Sequence, residues 1–413
     1  MALKIKNLKK VAQRILKAVK RKEKIILYGD ADLDGAAAVI ILKETIKNLG
    51  GKIAAVYFPD RELEGYGITE KGLNYLTKHI NKLCARPAAL LIVLDSGIGN
   101  FKEVVMAKKL GFEVIIIDHH QILDKLPEAS IIVDPKQKGD KYPFKELATA
   151  GIAFKLSELL LKNTLPREAP YSPPSRLRRA PSMTDLMRKN FLELVALATI
   201  ADMMPREEEN KIFIEEGLKS LENSFRPGIK AFFAPHLSLR WGVESFEDLN
   251  RKVSKIISIL NVRDVENNLP ASFRLLTSSS LEESEAIIEK LLEKSELRKE
   301  KIKKIMERIE EKISKQTAPI VFEGSSDWEF TLMSSVASII CQRYQKPTFI
   351  FKKLEKESSG TVRTPAGIDS VSLMKKCKKY LLTYGGHSLA SGFRVKNENL
   401  KKFKECLIKQ LKP

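Results

Sequence analysis

Short apolar runs rich in β-forming residues recur between Lys24 and about Leu160, and several of them end in an acidic residue. Helical patterns separate them at 36–49 and 101–110. The runs are IILYGD (25–30), KIAAVYF (52–58), LLIVLDSG (90–97), EVIIIDHH (113–120) and SIIVDP (130–135). Continuous rather than alternating apolar runs indicate parallel strands covered on both faces. The sequence therefore predicts a doubly wound α/β domain with a mainly parallel sheet, whose ligands collect beyond the carboxyl ends of the strands.

The remainder of the chain has a different organisation. Five prolines lie within 164–190, and prolines at this density prevent a regular helix, so we expect a surface insertion or a mobile flap there. Apolar helical patterns resume at 191–203 and 210–222. The predicted organisation is a first domain over 1–280, a long charged connecting helix over 281–316, and a smaller α/β domain over 317–413.

The charge balance favours a polyanionic partner. The 413 residues include 72 Lys and Arg against 52 Asp and Glu, a net charge of +20. Basic residues are concentrated at both ends, with ten in 1–24 and eleven in 373–413. Each phosphate that such residues neutralise releases a condensed counterion, so nucleic acid is the usual partner of a surface of this kind. A basic, solvated surface without such a partner is the alternative.

Composition excludes two other classes of protein. With 43% hydrophobic residues the chain can bury sizeable cores, so it is not disordered. No stretch approaches the roughly 18 uninterrupted apolar residues of a membrane span, so no membrane association is expected. The cysteines lack CxxC spacing, which argues against a disulfide framework and a cysteine zinc site and favours a reducing cytoplasm. They are Cys84, Cys341, Cys377 and Cys406.

Carboxylates and histidines follow three of the predicted strands and one apolar helix. These candidate site residues are Asp30, Asp32, Asp34, Asp95, Asp118, His119, His120 and Asp202. Carboxylates gathered in one place require cations, and aspartate with imidazole suits Mn²⁺, or Mg²⁺ less well. Two such ions about 3.5–4 Å apart would activate water for a phosphoryl displacement. Taken alone, Asp95 is more simply interpreted as a helix N-cap. Taken alone, DADLDG could also be a calcium-binding loop.

Several segments, in order, resemble a known family. GDADLDG, LDSG and IDHHQ are similar to the first three motifs of the DHH phosphoesterases. PDRELEGYGIT resembles the segment that marks the RecJ-type single-strand exonuclease branch. VDPKQ…YPFKELATAGIAFKL and LATIADMMP…ENK…GL continue the similarity through the fourth motif. SGTVRTP and YGGHSLASGF resemble the DHH-associated domain, which grips nucleic acid in that family.

This resemblance implies two Mn²⁺ ions, with Mg²⁺ as the alternative metal. Asp32 and Asp34 would hold one ion each, and Asp95 would bridge the two. His119 and Asp202 would complete the site that contains Asp34.

The same resemblance implies further roles. Asp30 would help to hold the first metal, directly or through a hydrogen bond. Asp118 would orient the imidazoles, and His120 would contact the scissile phosphate. The nucleic-acid-binding residues of the second domain would be Arg363, Gly385, Gly386 and His387.

The function implied is a metal-dependent exonuclease that degrades single-stranded DNA from 5′ to 3′ and releases nucleoside 5′-monophosphates in repair or recombination. RNA stays open as a substrate, because recognition of the 2′-hydroxyl leaves no clear mark in a sequence. A nano-RNase or cyclic-dinucleotide phosphodiesterase is an alternative, as is a non-catalytic replication scaffold. A single-strand-binding or helicase partner and the oligomeric state are also left open.

Overall fold

The computed structural model describes residues 4–61, 63–81, 89–122, 125–162, 183–234, 249–262, 264–313 and 318–411. The chain divides into two compact units, Met1–Leu292 and Glu293–Pro413. The division falls inside one long helix, Leu281–Ile313. Each unit has a five-stranded sheet of its own.

The sheet of the first unit is parallel throughout, as the continuous apolar runs predict. Its order is β2-β1-β3-β4-β5, and every neighbouring pair runs in the same direction. The strands are β1 Lys24–Gly29, β2 Ile53–Tyr57, β3 Ala89–Leu94, β4 Phe112–Ile117 and β5 Ile131–Val133. The order reverses at β1, and in sheets of this kind the crevice beside that reversal is the usual ligand site.

Helices cover both faces of this sheet. Residues along β1 alternate between two cores: Ile25 and Leu27 belong to one, whereas Ile26 and Tyr28 belong to the other. Because both faces are buried, the strand reads as one uninterrupted apolar run. The helices from the N-terminus are α1 Leu8–Lys20, α2 Leu33–Asn48, α3 Glu70–Asn81, α4 Phe101–Lys109, α5 Thr149–Lys162, α6 Met183–Ala201, α7 Glu208–Leu218 and α8 Pro227–Lys230.

Further elements complete the first unit. They are the helices Leu249–Leu260 and Ala271–Leu276 and a two-stranded ribbon of β6 Val265–Glu266 and β7 Leu269–Pro270. The first part of the helix Leu281–Ile313 packs Ile288 and Leu291 into the larger core of this unit.

Several helix boundaries differ from the predicted ones, most clearly the start of α6. The sequence predicts residues 183–190 as part of the proline-rich insertion, but α6 begins at Met183. The last proline of that stretch is Pro181, so no proline interrupts the backbone hydrogen bonds of this helix. The remainder of the insertion, 164–182, lies outside the described residues.

The second unit has a mixed sheet of order β11-β12-β10-β9-β8. Only the pair formed by β8 and β9 is parallel; the other three pairs are antiparallel. The strands are β8 Val321–Ser325, β9 Thr348–Lys353, β10 Glu357–Arg363, β11 Leu381–Gly386 and β12 Ala390–Lys396. The helices are Phe330–Tyr344, Ser370–Lys376 and Leu400–Gln410. The part of Leu281–Ile313 from Glu293 onward also belongs to this unit.

A disulfide joins Cys377 to Cys406 in the second unit, a single bond that the argument against a disulfide framework did not foresee. Cys377 directly follows the helix Ser370–Lys376, and Cys406 lies on the C-terminal helix Leu400–Gln410. The two residues are 29 positions apart. Spacing in the sequence gives no sign of the pairing, because packing of two separate helices brings the thiols together.

Among the described helices, none has both the length and the apolar character needed to cross a bilayer.

Candidate metal centre

Three acidic strand ends lie side by side in the first unit. The register aligns the last residues of β1, β3 and β4, so the residues that follow, Asp30, Asp95 and Asp118, are neighbours. The backbone N–H of Asp30 donates to the carbonyl of Leu94 at 3.3 Å, and that of Asp95 to the carbonyl of Ile117 at 3.0 Å. All three carboxylates are almost fully buried. Strand register thus gathers the acidic residues at the carboxyl edge of the sheet, where ligands collect in such folds.

Asp32 and Asp34 begin helix α2 directly after β1. Asp32 is the N-cap, and its Oδ1 accepts the backbone N–H of Gly35 at 3.0 Å. Asp34 lies in the first turn and is buried. A Cβ at Gly35 would lie 2.3 Å from the carbonyl oxygen of Asp30. Only glycine therefore permits this tight connection, which keeps Asp30, Asp32 and Asp34 together.

His119 lies among carboxylates from three different elements. Its Nε2 is 3.2 Å from Oδ1 of Asp95, 3.5 Å from Oδ2 of Asp202 and 3.6 Å from Oδ2 of Asp34. Asp202 directly follows α6, so the fold brings a distant helix end to the sheet edge. Asp34 and Asp202 converge on one imidazole nitrogen, the arrangement that joint binding of a cation requires.

The N-terminus of helix α5 holds the Asp34 carboxylate. Oδ2 accepts the N–H of Thr149 and Oδ1 accepts the N–H of Ala150, each at 2.8 Å. The hydroxyl of Thr149 also donates to Oδ1 of Asp95 at 3.0 Å. The first N–H groups of a helix have no partner within the helix, so they can bind an anion here. Thr149 is a site residue that the sequence analysis missed, although its segment was recognised as part of a motif.

Two residues at the site have left-handed backbone conformations. Asp95 has φ of 62°, and Met203, which follows Asp202, has φ of 56°. The side chain of Met203 is 79% exposed. Such a conformation costs a residue other than glycine about 1–2 kcal/mol. It persists where the surrounding structure enforces it, which is common at functional sites.

Crowding of buried carboxylates makes their ionisation unfavourable. Burial raises the pKa of Asp34 to about 7, although the N–H donors of Ala150 and Thr149 act in the opposite direction. Burial and the neighbouring Asp34 carboxylate raise the pKa of Asp95 well above its usual value. The same two causes raise the pKa of Asp202 well above its usual value. A divalent cation bound among these groups would relieve the repulsion and stabilise their charged forms.

Several groups of acidic and imidazole side chains could hold a metal ion. Among the described residues, four groups of three offer ligand atoms that lie within 4.8 Å of one another. Oxygen and imidazole nitrogen donors without thiolate suit Mn²⁺. Two of the four groups consist of candidate ligands named above, the first being Asp34, His119 and Asp202 and the second Asp30, Asp32 and Asp95.

Arg61 neutralises part of the second group. Its Nε donates to Oδ1 of Asp30 at 2.8 Å, and Nη2 contacts Oδ2 of the same carboxylate. Nη2 also lies 3.0 Å from Oδ2 of Asp32. The guanidinium is 5.0 Å from the ring centroid of Tyr66. Both residues belong to the segment PDRELEGYGIT, but nothing in the sequence pattern assigns a role to Arg61.

The similarity to known proteins covers the same region. Residues 24–199 match the model of the DHH family, N-terminal domain, which ends just before Asp202. Residues 24–199 therefore carry the N-terminal domain of the DHH family. The chain is 31% identical over 402 residues to the single-stranded-DNA-specific exonuclease RecJ of Bacillus subtilis, covering 96% of this chain and 46% of that protein. It is 25% identical to RecJ of Escherichia coli, covering 97% of this chain and 68% of that protein.

Two solved structures resemble this chain in fold. A crystal structure of exonuclease RecJ bound to manganese superposes with a TM-score of 0.71 at 24% identity, covering 100% of this chain and 96% of that one. RecJ of Thermus thermophilus in complex with Mn²⁺ gives a TM-score of 0.74 at 23% identity, covering 99% of this chain and 55% of the other. The chain thus spans about half the length of some of its relatives.

The second histidine of the DHH motif is held from both sides. Nδ1 of His120 lies 2.8 Å from Oδ1 of Asp118, and Nε2 lies 3.1 Å from the hydroxyl of Tyr66. Burial opposes a charged imidazole, but the carboxylates of Asp118, Asp202 and Asp30 together outweigh it and raise the pKa of His120 to about 9. Asp118 contacts the ring of His120, whereas it accepts the backbone N–H of His119 at 2.8 Å. This DHH motif therefore places one imidazole among the carboxylates and holds the other between Asp118 and Tyr66.

Arg363, a predicted nucleic-acid-binding residue of the second unit, is the last residue of β10. Its Nη2 donates to the hydroxyl of Ser334 at 2.6 Å and its Nε to that of Ser338 at 3.1 Å. Nη1 lies 3.0 Å from the hydroxyl of Thr361. These hydroxyl groups fix the plane of the guanidinium.

The GGH segment of the second unit forms the end of β11 and the following turn. Gly385 pairs with Gly392, and Gly386 pairs with Ser391. Gly386 has φ of 129°, a conformation that favours glycine. His387 donates its backbone N–H to the carbonyl of Ala390 at 2.7 Å. The segment is therefore a tight hairpin turn, the simpler interpretation of GGH alone, and the turn fixes the position of the His387 backbone.

Proposed function

We propose that this chain is a metal-dependent exonuclease that hydrolyses the phosphodiester bonds of single-stranded DNA. The observation that carries the proposal is the convergence of Asp34, Asp95 and Asp202 on Nε2 of His119. Similarity to single-stranded-DNA-specific exonucleases along 96% of the chain supports the substrate class.

Mn²⁺ is the proposed cofactor, with Mg²⁺ as the alternative, because solved RecJ structures are described as complexes with each. One ion is assigned to Asp34, His119 and Asp202. Asp32 and Asp95 would hold the other, and Arg61 holds the neighbouring Asp30 carboxylate. When bound, such ions polarise a phosphoryl oxygen and lower the pKa of a water molecule.

The residues around the ligands position and neutralise the substrate. We assign the cationic imidazole of His120 to the scissile phosphate, where a positive charge stabilises the negative charge that develops in the transition state. Asp118 fixes the orientation of that ring through Nδ1. Arg61 lies beside the same carboxyl edge and balances the charge of Asp30 and Asp32.

The second unit is assigned to binding of the nucleic-acid strand. Residues 317–413 correspond to the proposed DHH-associated domain, with 1–280 as the catalytic domain and 281–316 as the connecting helix. Arg363 offers a guanidinium fork that matches phosphate geometry. The proposed strand-binding residues are Arg363, Gly385, Gly386 and His387.

The proposal has four further parts. The enzyme degrades the strand from 5′ to 3′ and releases nucleoside 5′-monophosphates. It acts in the cytoplasm in DNA repair or recombination, with a single-strand-binding or helicase partner. Oligonucleotides labelled at the 5′ or the 3′ end test it when incubated with Mn²⁺. Early release of the 5′ label as a mononucleotide is expected, and early release of the 3′ label would contradict the polarity. An RNA oligonucleotide and double-stranded DNA test substrate choice in the same assay.

Asp34→Asn provides the control for the metal centre. It preserves the shape of the side chain but removes its charge, so we expect activity to fall by at least about 100-fold, more than loss of an outer partner of a ligand causes. Circular dichroism checks the fold of the variant. An intact parent protein that leaves every oligonucleotide undegraded with either metal would rule out the exonuclease.

A further inference from the structure

Asn210, on helix α7, connects two loops that flank the candidate metal centre. Its Nδ2 donates to the carbonyl oxygen of Glu146 at 2.6 Å and to that of Pro205 at 3.0 Å. The residue is fully buried. Both partners are carbonyl oxygens, so the amide nitrogen and not the amide oxygen must face them. Asn210 therefore fixes the distance between these two backbone segments.

Each of the connected loops carries a candidate ligand or holds one. Pro205 is three residues after Asp202 in the loop between α6 and α7. Glu146 is three residues before Thr149, whose backbone N–H binds Asp34. The amide of Asn210 thus links the segment of Asp202 to the segment that orients Asp34.

Glu146 also connects to the third ligand of the same group. Its Oε2 lies 3.2 Å from Nζ of Lys136. The same Nζ donates to the carbonyl oxygen of His119 at 2.8 Å. Lys136 is mostly buried, with 14% of its side chain exposed. The loop at Glu146 is therefore linked to all three candidate ligands: to His119 through Lys136, to Asp34 through Thr149, and to the segment of Asp202 through Asn210.

We propose that Asn210 is a positioning residue that sets the spacing of Asp34, His119 and Asp202 for binding a divalent cation. Asn210 acts through the loop at Glu146 and touches neither the metal nor the substrate. This inference rests on the proposed function, because it takes the three residues as ligands of one ion. Outer partners of metal ligands fix their geometry, and their loss typically weakens metal binding about 10–100-fold.

Isothermal titration of the full chain with Mn²⁺ tests the inference, with Mn²⁺ electron paramagnetic resonance as the spectroscopic measurement. Asn210→Ala removes both donors, and we expect its Mn²⁺ affinity to fall by about 10-fold or more. At saturating Mn²⁺ its KM for a single-stranded oligonucleotide should equal that of the parent, whereas kcat at low Mn²⁺ should fall. A residue that only stabilises the fold would lower the unfolding temperature without changing the affinity of the folded protein.

Asn397→Ala is the matched control. Nδ2 of Asn397 also donates to two backbone carbonyl oxygens, those of Leu354 and Glu355 at 2.8 and 3.2 Å, but within the second unit. Its Mn²⁺ affinity should equal that of the parent. Asn210→Ala that is folded and binds Mn²⁺ within about twofold of the parent overturns the inference, since an outer partner accounts for at least about 10-fold.

Lys136→Met decides the question if Asn210→Ala does not fold. It removes the donor to the His119 carbonyl and should also weaken Mn²⁺ binding by about 10-fold; unchanged affinity overturns the inference. A parent protein that binds no Mn²⁺ and degrades no oligonucleotide refutes the proposed function instead. If the parent binds Mn²⁺ and degrades oligonucleotides, and the variants bind Mn²⁺ as tightly as the parent, only the positioning role is refuted.

Discussion

The backbone N–H of Thr149 donates to the carboxylate of Asp34 across 115 positions of sequence. The same residue donates its hydroxyl to Asp95, so one threonine at the start of α5 orients two candidate ligands. Helix α5 thus contributes to the site through its first turn, although it supplies no ligand itself.

Replacement of Thr149 by valine separates the two contacts. Thr149→Val keeps the backbone N–H and the shape of the side chain but removes the donor to Asp95. Because a buried acceptor then lacks a partner, the unfolding free energy should fall by about 1–3 kcal/mol, and Mn²⁺ affinity by about 10-fold. Denaturation with urea and isothermal titration measure the two effects. Thr149→Ser keeps the hydroxyl and should resemble the parent; equal behaviour of the two variants would exclude the role of the hydroxyl.

Loss of the Arg61 guanidinium should destabilise the protein. Its side chain is 18% exposed and that of Asp30 is 1% exposed, so Arg61→Gln leaves a buried carboxylate without its countercharge. Breaking a buried ion pair from one side costs about 3–5 kcal/mol. Urea denaturation in the presence of EDTA measures the loss. The double variant Arg61→Gln with Asp30→Asn removes the uncompensated charge and should recover part of it, whereas simple additivity of the two losses would contradict the coupling.

Asp134 should make stability depend on pH. Burial raises the pKa of Asp134 to about 7 from an ordinary value of 3.8, so the folded protein binds this proton more tightly than the unfolded chain. The contribution of Asp134 to stability is therefore complete below about pH 4 and is lost as the pH rises to about 7, at up to about 1.4 kcal/mol per pH unit.

Asp134→Asn tests this dependence, because asparagine can still accept the N–H of Lys136 that Oδ1 accepts at 2.7 Å. Urea denaturation from pH 4.5 to 8 with EDTA should show a shallower decline for the variant than for the parent. Other carboxylates contribute equally to both proteins, so only the difference between the two curves reports on Asp134. Parallel curves would show that this group does not titrate in that window.

Affinity for single-stranded DNA should fall steeply with salt if the basic surface binds the strand. The logarithm of the affinity should decline with the logarithm of the salt concentration by about 0.7 for each phosphate neutralised. Lys378 and Lys379 are exposed and lie in the basic segment 373–413. Replacing both by glutamine should make the slope shallower by about 1.4. Lys219→Gln, at an exposed lysine paired with Glu216, is the control and should leave the slope unchanged. If the affinity of the parent does not depend on salt, its net positive charge does not contribute to binding of the strand.

The fold and the candidate ligands could be predicted because their signals are local. Ile26 and Tyr28 face one core while Ile25 and Leu27 face the other, so burial of both faces is written into a single run of residues. Strand ends follow from those runs, which is why Asp95 could be placed at the sheet edge in advance.

Supporting contacts could not be predicted, because they join residues that only packing brings together. Arg61 reaches Asp30 from 31 positions away, and Lys136 reaches the His119 carbonyl from 17. The disulfide of Cys377 with Cys406 was missed for the same reason. Any of several lysines, arginines or cysteines could have filled these roles on the basis of the sequence alone.

The sequence by itself determined the parallel sheet, the order of its acidic strand ends and the resemblance to the DHH family, since periodicity and motifs are properties of neighbouring residues. Tertiary structure alone decided which carboxylates share one imidazole and which side chains hold them in place. Asp202 becomes a neighbour of Asp34 only when α6 packs against α2 and ends at the sheet edge. A carboxylate cluster is a property of distances in space, and those are fixed by the packing of elements that are remote along the chain.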